Sequence, residues 1–464
     1  MIKDRDFYKT ILRLSLPAAF QAAINLLVVL ADNLMVSQLD ARGLSFAAVV
    51  QSNSITNLVI AFLTGLASGS IVLVSQYWGK KDTRSIKAVA AAVTLLSVMV
   101  AALFILAIQL FPRQILHIVI NRNETEAVNI AMRYLPLVAI SYLPYAITAC
   151  LIGMLKGIEI VRITIYITVV SLFTNVGFNY ILIFGKLGFP ALGVQGAAIG
   201  TLLARVIEMG LVIWYCTRVQ QAMHFRMGML RRQSAWAWQD YFRFGLPVGI
   251  TDAQWAVIGM LKMVIIGQLG ILMSNAVGVV DSLMNLGTLF TFALAGGAAV
   301  MVGKAVGAGD IKRVKEYSST IQRLFLIFGV FMAAVVFVIR KPFISLYGLM
   351  PEAEQLAVMM VNVCVLTLIG TSYHGSCFVG INRGAGDNRF VMLVDTICGW
   401  FIVLPAAFLA AFVLKLPLHW VYFLTRVDQT FKWIIARRRL QGDKWIHNVT
   451  RDHESLSPAA VSND

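Results

Sequence analysis

Charge is scarce in this chain: only 13% of its 464 residues are Asp, Glu, Lys or Arg, about half the share usual in a soluble globular protein. With 59% of residues hydrophobic, this much apolar surface cannot be folded away from water. Cytosolic, secreted, fibrous and disordered readings are excluded, and a polytopic membrane protein remains. The length alone suggests about three domains of roughly 150 residues, and the composition overrides that. Cysteine is sparse too. Cys150, Cys216, Cys364, Cys377 and Cys398 all lie in apolar runs, with no CxxC and no His at ligand spacing, which argues against a disulfide framework or a zinc site. The start, MIKDRDFYKT, mixes both signs of charge. No small-residue cleavage site follows a short apolar stretch, so a removable signal peptide is not expected and the first span itself would insert. Selectivity-filter, nucleotide-binding and catalytic patterns are missing, and no enzyme is expected. Gly307-Ala308-Gly309-Asp310 is too short for a P-loop and lacks its Lys-Ser/Thr.

What the chain does have is long apolar runs. A membrane-spanning helix needs about 20 such residues. Twelve candidate runs lie at 11–39, 46–76, 88–111, 130–153, 163–184, 192–217, 242–269, 276–303, 319–339, 356–381, 390–414 and 417–436. No sizeable soluble domain fits between them. The net charge of +16 would suggest nucleic acid in a soluble protein. Here it reads as topology, because cytoplasmic loops concentrate Lys and Arg. With the N-terminus inside, the outer segments hold only Arg42, Arg113, Arg122, Arg133, Lys186, Arg340, Lys341 and Lys415. Most of the 39 basic residues fall inside, so both termini are expected in the cytoplasm. The basic pairs and triplets, Lys80-Lys81 and Arg437-Arg438-Arg439, read as topology signals and contacts for anionic lipid.

The chain also repeats itself. Arg13, Leu16 and Pro17 fall on Arg243, Leu246 and Pro247, and Gln38-Leu39 on Gln268-Leu269. With small gaps, Gly69, Gly79, Asp82 and Lys87 meet Gly297, Gly307, Asp310 and Lys315, and Gly153, Gly157, Arg162 and Pro190 meet Gly380, Gly384, Arg389 and Pro417. Six spans per repeat is an even number, so both halves enter the membrane from the same side and are parallel repeats. The expected fold is all-α and polytopic, with twelve transmembrane helices in two six-helix repeats. Residues 1–217 would form an N-lobe, 218–241 a cytoplasmic linker, 242–436 a C-lobe and 437–464 a solvated cytoplasmic tail. Transporters built from such repeats carry their substrate between the halves and expose it alternately.

Few ionisable residues lie inside the spans. An Asp at a helix centre costs roughly 2.5–3.5 kcal/mol on insertion, so Asp32 should face the protein interior with a partner. Burial disfavours its charged form and a bound cation favours it, and a carboxylate between those tendencies can exchange H+ or Na+. A purely structural Asp is the alternative. Asn175 and Asn179 are four apart and share a helix face. They can hold a cation or a carboxylate, or simply bond neighbouring helices, as Thr201 can. Lys262 occupies the place in the second repeat that Asp32 holds in the first, and could pair with Asp32 or Asp281 or bind an anionic group. Asp395 and His374 also lie deep in spans. Arg205/Glu208 and Asp428/Lys432, at helical spacing, read as structural ion pairs.

These residues resemble the multidrug and toxic compound extrusion (MATE) family over nearly the whole chain. LPAAFQ, ADNLMVSQL and LSFAAV look like its first-helix pattern, and NVGFNYILIFGKLGFPALGVQGAAIGT like its fifth-to-sixth-helix signature. GLPVGITDAQ, VGKAVGAGD, NRGAGDNRF, DQTFKW and GDKWIHNVT match the second lobe and tail. The resemblance implies a V of two lobes and export of organic, often cationic, compounds in exchange for H+ or Na+. It also implies that Asp32, Asn175 and Thr201 match the N-lobe cation site. Asn179 stands where several members have a second Asp. That loss of a negative charge disfavours tight Na+ binding and points to H+. Some members have a seventh-helix Glu near the place of Trp255, so no carboxylate site is expected there.

The expectation is therefore an antiporter of the bacterial inner membrane, acting as a monomer. It would take small organic substrates, contact membrane lipid, bind no nucleic acid and use no cofactor beyond the coupling ion. Lys262, Asp281, His374 and Asp395 are the candidate substrate or coupling residues of the C-lobe. The alternative is a flippase of related fold that moves a lipid-linked or anionic precursor through Lys262. A receptor or scaffold would leave the Asp-Asn-Asn set unexplained. The major facilitator architecture is disfavoured by Trp78-Gly79-Lys80-Lys81-Asp82 in place of its Asp-Arg-x-Gly-Arg loop.

Overall fold

A computed structural model describes residues 5–39, 44–120, 124–219, 228 and 234–451. Within a bilayer every backbone N–H and C=O must be satisfied inside the segment, so apolar runs of this length fold as helices. Nine described helices are long and apolar enough to cross a membrane: α1 (Arg5–Ser37), α2 (Leu44–Gly79), α3 (Thr83–Leu110), α6 (Arg162–Phe184), α7 (Val194–Val219), α8 (Ala235–Gly267), α9 (Ile271–Gly307), α10 (Ile311–Ser345) and α13 (Asn388–Val413). Two bent pairs raise the number to eleven. They are α4 (Thr125–Ala139) with α5 (Tyr142–Gly157), bent by 43°, and α11 (Pro351–Cys364) with α12 (Thr367–Asn382), bent by 52°. The chain is an all-helical, multi-pass membrane protein.

The twelfth expected run, 417–436, is not one helix. Helix α14 (Leu418–Leu424) ends in a 3-10 turn at Val427–Thr430, and α15 (Lys432–Leu440) follows. The interruption falls where the segment carries Arg426, Asp428 and Lys432, each turned to an opposite charge. A regular helix would keep Asp428 and Lys432 on one face and turn Arg426 to the opposite one.

Apolar side chains outside the cores, such as Leu103, Phe173, Val338 and Phe401, remain exposed and form the surface suited to lipid. The two halves meet along the second half of α2, which packs against α8 and α9, while α1 lies along α6 and across α9. Glycines permit this approach. A Cβ at Gly69 would collide with the Gly245 backbone, and one at Gly307 with the Gln76 carbonyl.

Two expected boundaries change. The segment 218–241 was expected as a linker. Positions 220–227 and 229–233 lie outside the described residues, but Ala235 already starts α8, which runs unbroken to Gly267. The tail from Arg437 is not solvated as expected. Helix α15 continues to Leu440, Trp445 is buried, and the chain to Arg451 packs between the halves. The Gln76 amide donates to the carbonyls of Gly384 and His447 at 3.1 and 3.2 Å, and its Oε1 accepts from the Val449 N–H at 2.8 Å. Lys80 donates to the Arg451 carbonyl at 2.8 Å, and Arg451 forks onto Asp240. Pairing backbone groups in this way allows an irregular segment to be buried. The Ser/Pro/Ala end, 452–464, lies outside the described residues.

Candidate coupling site

Asp32 sits five residues before the end of α1, facing α6 and α7. Asn175 and Asn179 point from one face of α6 because they are one helical turn apart. Gly200 on α7 makes room for them, since a Cβ there would strike the Asn179 side chain. The result is a chain of amides ending on a carboxylate. Asn179 Nδ2 donates to Asp32 Oδ1 at 2.6 Å, with a longer contact of 3.4 Å to Asn175 Oδ1. Asn175 Nδ2 donates to Thr201 Oγ1 at 3.4 Å. Asn175 and Asn179 are buried. All four sequence-selected residues of this half thus meet.

Asp32, Asn175 and Thr201 line a chamber of about 270 Å3 that also receives Asn25, Asn53, Asn57, Tyr134 and Arg205. Tyr134 is turned by its hydroxyl onto Asn53 at 3.0 Å. A second chamber of about 450 Å3 shares Asn25, Asn57 and Arg205 with the first, and adds Gln21, Tyr145, Lys156 and Glu208. Arg205 and Glu208 do form the expected pair, at 2.7 Å. They are more than a structural staple, however. Arg205 stands between the two chambers, with its guanidinium 4.9 Å from the centre of the Tyr145 ring. Sequence spacing revealed the pair but not its position in the cavity wall. Asp32 is the carboxylate of the first chamber and Glu208 that of the second.

The second half is arranged differently. Asp281 bonds Arg426 at 2.9 Å and accepts from the Tyr422 hydroxyl at 2.6 Å. Lys432 bridges Asp395 at 2.9 Å and Asp428 at 2.7 Å, so the expected Asp428–Lys432 pair is part of a buried triad. His374 is buried and hydrogen-bonded to Gln429. Lys262 meets neither Asp32 nor Asp281, contrary to both pairings considered from sequence, and has no ion pair among the described residues. Asp281 is taken instead by Arg426, four residues after Tyr422 on the facing segment. Asp252 pairs with Arg383 at 2.7 Å, and Arg383 also covers the ring of Trp255 at 5.7 Å. Lys262, Asp281, His374 and Asp395 therefore do not converge on one site. Arg426 and Gln429, which hold two of them, were not singled out from the sequence, because a pairing partner on a distant helix has no local signal.

Among the described residues no group of three or more His, Cys, Asp or Glu could hold a metal ion. The five cysteines are free and buried.

The MatE family model matches residues 17–181 and again 247–409, so the two halves match it separately. An uncharacterized transporter, YisQ of Bacillus subtilis, is 24% identical over 96% of each chain. A probable multidrug resistance protein NorM of Rhizobium meliloti is 25% identical over 83% of this chain and 82% of its own. Among solved structures, a MATE protein in the bent conformation superposes with a TM-score of 0.83 at 18% identity, covering 94% of this chain and 95% of that one.

Proposed function

Because this chain belongs to the MatE family of membrane transporters, we propose that it exports organic, amphipathic cations in exchange for protons, with Asp32 as the coupling carboxylate. The observation that carries the reading is the Asp32 environment: one carboxylate, opposed by a neutral amide, in a polar chamber within a membrane half. The fixed cation of that chamber, Arg205, is ion-paired with Glu208 and not with Asp32, which leaves the Asp32 carboxylate open to a cation that enters. Ionised Asp32 attracts an organic cation, and a proton taken up from outside neutralises it and favours release. Asn175 and Asn179 orient the carboxylate, and Thr201 ends the chain of donors.

A proton is the preferred coupling ion on the same geometry. Among the described residues, Asp32 is the one carboxylate lining this chamber, and hard cations are held by several oxygen ligands, carboxylates foremost. Exchanging one proton for one monovalent cation moves no net charge, so the cycle is driven by the pH gradient, which supplies about 1.4 kcal/mol, or tenfold, per pH unit. The two halves act as lobes, α1–α7 and α8–α15, that rock about the contact of α2 with α8 and α9. The bacterial inner membrane, with both termini cytoplasmic, is the setting that the basic residues favour. The protein works as a monomer.

The test is transport in proteoliposomes with pH and Na+ gradients imposed separately. Proton-driven efflux of a cationic dye should be lost in Asp32→Asn. Wild-type efflux in that variant, or a strict Na+ requirement, would contradict the reading. Lys262 favours a second reading, movement of a lipid-linked anion, because its ammonium has no ion pair among the described residues. Binding of a lipid diphosphate that is lost in Lys262→Ala would support it.

A further inference from the structure

A further hollow lies away from the Asp32 chamber. A cleft of about 930 Å3 opens between α10, α11, α12 and the interrupted segment of α14 and α15. This is at the upper end of the roughly 300–1,000 Å3 found for ligand sites. Residues on both sides of the break after Leu424, Phe423 and Gln429 among them, form one of its walls. The 3-10 turn at Val427–Thr430 draws Gln429 against α12, where only Gly370 leaves room for the Gln429 carbonyl.

The lining divides into two chemistries. Leu326, Val363, Leu366 and Ile369 make an apolar wall, and Leu326 and Leu366 are exposed on the outside of the bundle. In a bilayer such a hollow is filled by hydrocarbon. Arg323 and Arg437 also line the cleft. Both are exposed, and neither has an ion pair among the described residues. They belong to the basic end of this half, with Lys312, Arg313 and Arg438. Gln322 and Tyr373, joined by a 2.8 Å hydrogen bond, add polar groups to the lining. Two free guanidinium groups repel an organic cation. They match an anionic phosphate, which arginine holds by parallel N–H donors, and basic pockets between membrane helices are the setting in which anionic head groups bind.

We propose that this cleft is a binding site for an anionic phospholipid, with its phosphate between Arg323 and Arg437 and an acyl chain along Leu326, Leu366 and Ile369. The lipid fills the gap left by the broken segment and braces it against α10. The site is independent of Asp32 and of the transported compound.

Purified full-length protein in detergent is titrated with phosphatidylglycerol, phosphatidylcholine or glycerol 1-phosphate, and bound molecules are counted by native mass spectrometry. Phosphatidylglycerol should bind in preference to phosphatidylcholine. The R323Q/R437Q variant should weaken phosphatidylglycerol about 10–30-fold and leave phosphatidylcholine unchanged. Leu366→Trp, which fills the cleft and keeps both charges, should also weaken it, and R323K/R437K should retain most of the preference. Equal binding of the two lipids by the native protein would overturn the proposal. So would an undiminished preference in R323Q/R437Q, or glycerol 1-phosphate binding as tightly as the lipid.

Discussion

Asp32 in the first half and Asp281, Asp395 and Asp428 in the second are paired in opposite ways, although the halves align as repeats. In the first, Asp32 meets the amide of Asn179 and faces a chamber. In the second, Asp395 and Asp428 share Lys432, and Asp281 is held by Arg426. A carboxylate that meets only amides keeps its charge available to a visitor. A carboxylate that meets a cation has already been neutralised by the protein. On the proposed reading, Asp32 exchanges its charge with a visitor while Asp281, Asp395 and Asp428 keep theirs.

That contrast can be broken most strongly at Lys432. Lys432→Met leaves two buried carboxylates unpaired and should cost about 3–5 kcal/mol, read as a large fall in thermal stability. Neutralising all three members, D395N/D428N/K432M, should recover most of it. Next in size is the contact between the halves. Gln76 makes three hydrogen bonds, to Gly384 and to the tail at His447 and Val449. Gln76→Ala should destabilise by about 1–3 kcal/mol and raise proteolytic cleavage within 441–451. Smaller again is the effect of Asp32→Asn on folding, within about 1 kcal/mol, because an amide keeps the hydrogen-bonding shape. Its effect on transport should be complete. Smallest is Lys262→Met, within about 0.5 kcal/mol of the native stability, since no ion pair is broken. A large loss there would show that Lys262 belongs to the neutralised network of the second half.

Much of this was legible in the sequence for physical reasons. An Asp in an apolar run must turn inward and two Asn one turn apart must share a face, but that Asp32 meets those Asn was only what the family resemblance implied. The parallel halves followed from aligned Pro, Gly and basic residues. What the sequence concealed depends on segments distant in the chain. Arg426 and Asp281 lie on different helices with no spacing to connect them, and Lys262 looked like a better partner because it aligns with Asp32. The tail looked solvated by composition, yet Trp445 is buried and Gln76 lies far upstream. The break after Leu424 was hidden because the opposite directions taken by Arg426 and Lys432 become visible only once Asp281 and Asp395 are known as their partners.

The central claim is that a single carboxylate, Asp32, trades a proton for a cation. The most direct measurement is proton release from the detergent-solubilised protein when a cationic substrate is added in weakly buffered, Na+-free solution. The account predicts release that saturates with binding, disappears in Asp32→Asn and persists in Asp395→Asn. Release unchanged in Asp32→Asn would contradict it.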